Sequence, residues 1–163
     1  MSFPNLQFVG CDASVGLLQQ CHERSGECVA ANVVQLPFAG NTFDAGICIA
    51  VLHHLATEER RREALCEILR TVRSGGRVFC TVWAREQDSS CSSRDFTTND
   101  VLVPWNTPSS IAAVYGSCHE VRVKRYYHVF VRGELTNLCR TAGAADVHEI
   151  FDRGNWCVCM RKS

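Results

Sequence analysis

The sequence predicts an α/β fold: a mostly parallel, doubly wound sheet with helices against it, ending in an antiparallel hairpin. Three observations carry this. Short apolar runs alternate with amphipathic segments through the first half of the chain. The run over 43–51 is near-continuously apolar, the pattern of a strand buried on both faces of a parallel sheet. The last two apolar runs are separated only by the turn chemistry of Asp152-Arg153-Gly154-Asn155.

Taken in order, 6–12 is an apolar strand that ends in Asp12. Segment 14–24 suits a helix with Ser14 as N-cap and Val15, Leu17 and Leu18 on its apolar side. A short strand over 27–31 leads to turn residues at 35–41. Segment 57–73 is an amphipathic helix with Leu65, Ile68, Leu69 and Val72 as its stripe. Thr57 opens it and Ser74-Gly75-Gly76 is expected to end it. Segment 77–84 reads as another buried strand. A serine-rich polar stretch follows, and 101–111, with Pro104 and Pro108, reads as irregular. The last third resumes with a strand over 127–131, a helix over 132–141, and strands over 147–151 and 156–160.

A length of 163 residues, 46% of them hydrophobic, suffices for one domain with a sizeable core. The formal net charge is zero, so any attraction to nucleic acid must come from local patches. No apolar run approaches the roughly 20 residues of a membrane span, and no basic stretch and apolar core mark a signal peptide at Met1. The eleven cysteines are scattered, several within apolar strands, where free cysteine packs as a small hydrophobe. Cys157 and Cys159 share a strand face and open a soft-metal reading beside plain packing, but no zinc-finger spacing exists, so no metal site is expected. The expected compartment is reducing: cytosolic, with the nucleus open.

Several stretches together resemble one family. They are Val9-Gly10-Cys11-Asp12, Leu36-Pro37-Phe38, Phe43-Asp44-Ala45, Ile49-Ala50-Val51-Leu52-His53-His54-Leu55, Glu59-Arg60-Arg61 and Gly75-Gly76-Arg77. Val82-Trp83-Ala84 with Glu86-Gln87, Asp100-Val101-Leu102-Val103-Pro104-Trp105, Arg125-Tyr126-Tyr127-His128-Val129-Phe130, Gly133-Glu134-Leu135 and Gly154-Asn155-Trp156 continue it. The chain resembles the S-adenosylmethionine-dependent tRNA methyltransferases that esterify 5-carboxymethyluridine at the wobble position. The resemblance implies a class I, Rossmann-like methyltransferase sheet, S-adenosyl-L-methionine as cofactor, and the tRNA anticodon loop as substrate. It also implies a small zinc-binding activator subunit as partner, and no membrane.

Two departures stand out. The family's first strand and glycine-rich loop have no counterpart, so the chain reads as a single domain over 1–163, truncated at its N-terminus, with a polar loop insertion over 85–111. That strand would lie between the strands of Asp12 and of 43–51. Its loss is expected to expose their backbones at about 1–3 kcal/mol per unpaired buried group and to force rearrangement. The second departure is Asn32, which stands where the family's adenine-binding acid is expected; its carbonyl can still accept from the adenine amino group.

The candidate cofactor residues are Asp12, for ribose hydroxyls at a strand end, its neighbours Cys11 and Ala13, then Asn32 and Val33 for adenine, and Ile49 and Ala50 for the methionine portion. The alternative reading of Asp12 is a helix N-cap or a solvated turn acid. His53 and His54 follow the central strand; one can orient the substrate while the other packs. Arg125, Tyr126, Tyr127 and His128 combine cation, stacking surface and donors for an unstacked base, or form an amphipathic strand. Asn155 and Trp156 are a third candidate wall of the pocket. Arg60, Arg61 and Arg62, with Arg122, Lys124, Arg125 and Arg132, can meet tRNA phosphates or form solvated faces. Of these, His53, His54, Arg125, Tyr127, Asn155 and Trp156 are the catalytic candidates. A non-catalytic, methyltransferase-like RNA- or protein-binding protein is the rival reading, and an inactive truncated product the third.

Overall fold

The structure, a computed structural model, describes residues 6–24, 26–87, 95–106 and 122–163. Strand β1 (Val9–Asp12), helix α1 (Val15–Glu23) and strand β2 (Glu27–Ala30) come first. Strand β3 (Phe43–Ile49), a 3-10 turn at Leu52–His54, helix α2 (Glu58–Thr71) and strand β4 (Val72–Trp83) follow. Strands β5 (Asp100–Asn106) and β6 (Arg122–His128) precede helix α3 (Glu134–Thr141) and strands β7 (Ala144–Asp152) and β8 (Asn155–Lys162).

The starts of α1 and α2 obey their capping chemistry. Ser14 Oγ accepts from the Leu17 N–H at 3.4 Å, and Thr57 Oγ1 from the Arg60 N–H at 3.3 Å. The main sheet runs β3-β4-β8-β7: β3 is parallel to β4, and β8 is antiparallel to both neighbours. The terminal hairpin therefore folds back so that its last strand, not its first, joins the parallel part. Arg153 and Gly154 both have positive φ, 45° and 77°, as a two-residue type I′ turn demands.

The core lies on one face of this sheet. Ala64, Leu65, Ile68 and Leu69 of α2 and Leu135, Leu138 and Cys139 of α3 pack on Cys48, Val78, Cys80, Val82, Val158 and Met160. The opposite face departs from expectation. The run over 43–51 is not buried on both faces; Ile47 and Ile49 are 64% and 58% exposed, and Phe79 and Ile150 are exposed beside them. The reason is positional: β3 is the sheet's edge, and α2 and α3 both cover the same side. Strands β1 and β2 pair parallel with one another as a separate two-stranded sheet, and no ladder joins β1 to β3 among the described residues.

Three further expectations are corrected. Helix α2 ends at Thr71, not at Arg73 before Ser74-Gly75-Gly76, and β4 begins at once. Residues 73–76 bulge within it, since Phe43 pairs with Val72 but Ala45 with Arg77. A Cβ on Gly76 would sit 2.7 Å from the Asp44 carbonyl oxygen, so the close approach of β3 requires glycine. Residues 100–106, read as irregular loop, form strand β5, antiparallel to β6. Pro104 is compatible with it because a two-stranded ribbon leaves each strand a free edge. The ribbon strand also begins earlier than predicted, at Arg122, and ends at His128. Residues 107–111 of the predicted irregular stretch lie outside the described residues, as do 88–94 of the polar insertion.

Candidate functional site

The C-terminal ends of β1, β3 and β4 present the predicted groups. Asp12 Oδ1 accepts the Ser14 N–H at 2.7 Å, so the acid shapes the β1–α1 turn and keeps a second oxygen for a ligand. Cys11 and Ala13 beside it are exposed. Burial, then Cys48 and Asp12, push the Cys11 thiol up, which keeps it protonated. Asn32 Oδ1 accepts the Val34 N–H at 3.2 Å, using one of its two lone pairs. The loop that carries Asn32 and Val33 is clamped to α2. Glu67 accepts the Leu36 N–H at 3.0 Å, while Arg70 donates to the Phe38 and Leu36 carbonyls at 2.8 and 3.2 Å. Leu36-Pro37-Phe38 thus fixes where that loop sits. Ile49 is exposed, and Ala50 after it has φ 59°, a left-handed conformation that a non-glycine residue holds only at a cost.

The two histidines divide their work. His53 is 1% exposed, and its Nδ1 accepts the Trp83 N–H at 3.1 Å, which puts its proton on Nε2. Burial first, then His54, lower its pKa to about 3, so it is a neutral interior ring. His54 is exposed, and its Nδ1 lies 3.2 Å from the Tyr126 carbonyl oxygen, to which it donates. Its Nε2 is thereby the nitrogen left for a ligand. Beside them Tyr127 stacks on Trp83, centroids 4.1 Å apart and planes 6° apart, and both rings touch His53. Such a stack adds roughly 0.5–1.5 kcal/mol beyond area burial.

Cross-strand register places Arg125 on the same face of the β5–β6 ribbon as Tyr127, with Lys124, Tyr126 and His128 on the other. Arg125 and Lys124 are exposed, as are Arg60 and Arg62 on the first turns of α2 and Arg132. The side chain of Arg122 lies outside the described residues. Arg61 and His128 are not presented to a ligand. Arg61 is 5% exposed, donates to the Leu55 carbonyl at 2.8 Å and sits 5.7 Å over the Phe130 ring. His128 is enclosed between Asp100 and Glu134.

The hairpin turn is a structural wall. Asn155 Nδ2 donates to the Asp152 and Arg153 carbonyls, each at 3.2 Å. Trp156 is buried, and its indole N–H donates to Glu86 at 3.0 Å. Gln87 Nε2 donates to the Ala84 and Gly154 carbonyls at 2.6 and 3.0 Å. Glu86 and Gln87 therefore buckle the end of β4 to the β7–β8 turn. In the sequence, an adjacent Glu-Gln directly after a strand is the one local signal for this buckle. Among the described residues no group of three metal-ligating side chains converges, and no helix is long and apolar enough to cross a membrane.

Comparison with known proteins fits this geometry. The family profile described as "Methyltransferase domain" matches residues 2–80. A Schizosaccharomyces pombe protein named tRNA (carboxymethyluridine(34)-5-O)-methyltransferase is 34% identical over 172 residues, covering 98% of this chain and 74% of that protein. A Saccharomyces cerevisiae protein of the same name is 30% identical, covering 98% of this chain and 77% of its own length. A Xenopus tropicalis protein named tRNA (carboxymethyluridine(34)-5-O)-methyltransferase alkbh8 is 35% identical over 97% of this chain, which spans only 32% of that protein. Among solved structures, an S-adenosylmethionine-dependent methyltransferase from Methanosarcina mazei superposes with a TM-score of 0.68 at 14% identity, covering 94% of this chain and 81% of the other. The CcbJ methyltransferase of Streptomyces caelestis superposes at 0.69 and 11% identity, covering 97% and 75%. These neighbours establish the class I methyltransferase fold. The two yeast relatives, matched over nearly the whole of this chain and about three quarters of their own, establish its kinship: the chain belongs to the tRNA (carboxymethyluridine(34)-5-O)-methyltransferase family.

Proposed function

We propose that this chain methylates the carboxylate of 5-carboxymethyluridine at the tRNA wobble position, with S-adenosylmethionine as donor. The observation that carries the reading is the wall at the C-terminal ends of β3 and β4. There an exposed His54 and Arg125 flank the Trp83–Tyr127 stack, on a chain whose relatives carry that activity in their names. The cofactor, when bound, supplies an electrophilic methyl carbon on a sulfonium. Asp12 would hold its ribose hydroxyls, Asn32 and Val33 would meet the adenine, and Ile49 and Ala50 would lie along the methionine portion. A carboxylic acid with a pKa of about 4 is already ionised at neutral pH, so the attacking oxygen needs no general base. The residues of this chain then act by orientation, which supplies roughly 7–11 kcal/mol in favourable cases. Arg125 pairs with the carboxylate, and His54 presents its Nε2 beside it. Tyr127 and Trp83 back the base, while Lys124, Arg60 and Arg62 meet phosphates of the anticodon loop.

A small zinc-binding activator subunit belongs to the same proposal. The uncovered sheet face with Ile47, Ile49, Phe79 and Ile150 is apolar surface of the kind a partner covers. A second reading, a non-catalytic RNA- or protein-binding protein, is favoured by one observation: among the described residues β1, which carries Asp12, has no ladder to β3. Calorimetry with S-adenosylmethionine separates the two. Saturable binding that Asp12→Ala abolishes supports the enzyme; a folded chain that binds tRNA but no cofactor overturns it.

A further inference from the structure

Residues scattered through the sequence converge on one cluster of charge, in which Arg61 and His128 are buried while Asp100 stays open to solvent. His128 Nδ1 lies 2.9 Å from Asp100 Oδ1, and Nε2 lies 2.6 Å from Glu134 Oε1. The second oxygen of Glu134 accepts the Val131 N–H at 3.1 Å. The Tyr126 hydroxyl shares its proton between Asp100 Oδ1 and the Ala56 carbonyl oxygen, the latter 3.2 Å away. Arg61 adds its charge from α2 and donates to the Leu55 carbonyl at 2.8 Å. Four elements thus meet: α2, β5, β6 and α3.

Two consequences follow from elementary chemistry. Ionised carboxylates only accept, so both nitrogens of His128 must donate, and the ring is an imidazolium. Arg61 and His128 then balance Asp100 and Glu134, and the cluster is neutral only in that state. Burial acts against the charged ring, but the bonds to Glu134 and Asp100 outweigh it and raise the His128 pKa. The cluster also grips the chain around His54 at three consecutive residues. His54 donates to the Tyr126 carbonyl, Leu55 accepts from Arg61, and Ala56 accepts from Tyr126.

We infer that Arg61, Asp100, Tyr126, His128 and Glu134 are positioning residues, a clasp that fixes His54 and, through strand β6, Arg125 at the substrate carboxylate. The inference rests on the carboxyl-methylation reading for its purpose, though not for its geometry. None of the five touches substrate. Arg61 and His128, which in sequence look like phosphate or base contacts, act through His54 instead.

The test uses the whole chain with ¹⁵N-labelled histidine, as parent, Glu134→Gln and Tyr126→Phe. Glu134→Gln keeps the shape but removes a charge facing His128, and Tyr126→Phe removes only the hydroxyl. In the parent, His128 remains doubly protonated above its ordinary range. In Glu134→Gln it loses its proton at lower pH, and in both variants the His54 ring resonances move, although neither substitution touches that ring. With tRNA, kcat falls by about ten-fold or more, while affinity for S-adenosylmethionine stays within about two-fold. Unmoved His54 resonances in both variants reduce the cluster to a local brace and overturn the inference. So does a raised KM at unchanged kcat, which marks an RNA contact. If the parent transfers no methyl, the reading of the reaction fails, and the His54 resonances still decide the clasp.

Discussion

His53 makes the folded state sensitive to acid in a way that one substitution removes. Its ring is interior, accepts the Trp83 N–H and is held neutral, with its pKa lowered from 6.5 to about 3. A group whose folded pKa lies below its unfolded one contributes stability above the unfolded value and loses it as pH falls toward the folded one. The window here runs from 6.5 down to about 3. Each unit corresponds to about 1.4 kcal/mol, so near pH 4.5 the chain has lost about 2.7 kcal/mol on this account, a large share of a domain's roughly 5–15 kcal/mol. His53→Asn places Oδ1 where Nδ1 stood, keeps an acceptor for Trp83 and cannot titrate. The smaller side chain leaves a void costing about 1–2 kcal/mol at neutral pH. Urea unfolding followed by circular dichroism, at several values between about pH 7.5 and 4.5, should show two curves that cross. The variant starts weaker and ends stronger. Carboxylates held low by their partners, such as Asp100 and Glu67, titrate in both proteins and cancel in the difference. Curves that stay parallel would show that His53 is not held neutral.

Three further outcomes are expected. Gly154→Ala forces a left-handed alanine and brings its Cβ to 2.7 Å from Gln87 Oε1, costing about 2–4 kcal/mol, which calorimetry reads as a Tm drop of roughly 5–15 °C. Glu86→Ala leaves the Trp156 indole N–H buried without its acceptor, costing about 1–3 kcal/mol and shifting tryptophan fluorescence on unfolding to lower urea. Arg125→Gln lowers kcat/KM for tRNA by about ten-fold or more while calorimetric affinity for S-adenosylmethionine is unchanged; an unchanged kcat/KM removes Arg125 from the carboxylate.

What sequence could disclose depended on range. Helix caps at Ser14 and Thr57 and the stripe of α2 are local patterns, and they stand as expected. The turn at Arg153-Gly154 is local too. Strand β5 was hidden because Pro104 suppresses the strand signal, and only its partner β6 licenses a proline there. Exposure of Ile47 and Ile49 was illegible for another reason: an apolar run tells what a strand can bury, while which sheet face the helices cover decides what it does bury. At the site, Asp12 ends β1 and His54 follows β3, where the pattern places them, whereas Arg125 lies on β6, outside the strand expected over 127–131. Arg61 and His128 carry charge whose partners lie about 40 and 30 residues away in Asp100 and at close range in Glu134, and no local pattern pairs them.

The central claim is transfer of a methyl group to a wobble carboxylate. The most direct measurement offers the chain S-adenosylmethionine labelled in its methyl group and two tRNAs that differ only at the wobble base, 5-carboxymethyluridine in one and uridine in the other. The account predicts label in the first tRNA alone, released as methanol by mild alkali because a methyl ester hydrolyses and an N- or C-methyl group does not. Equal labelling of both tRNAs, or label that resists alkali, would contradict it.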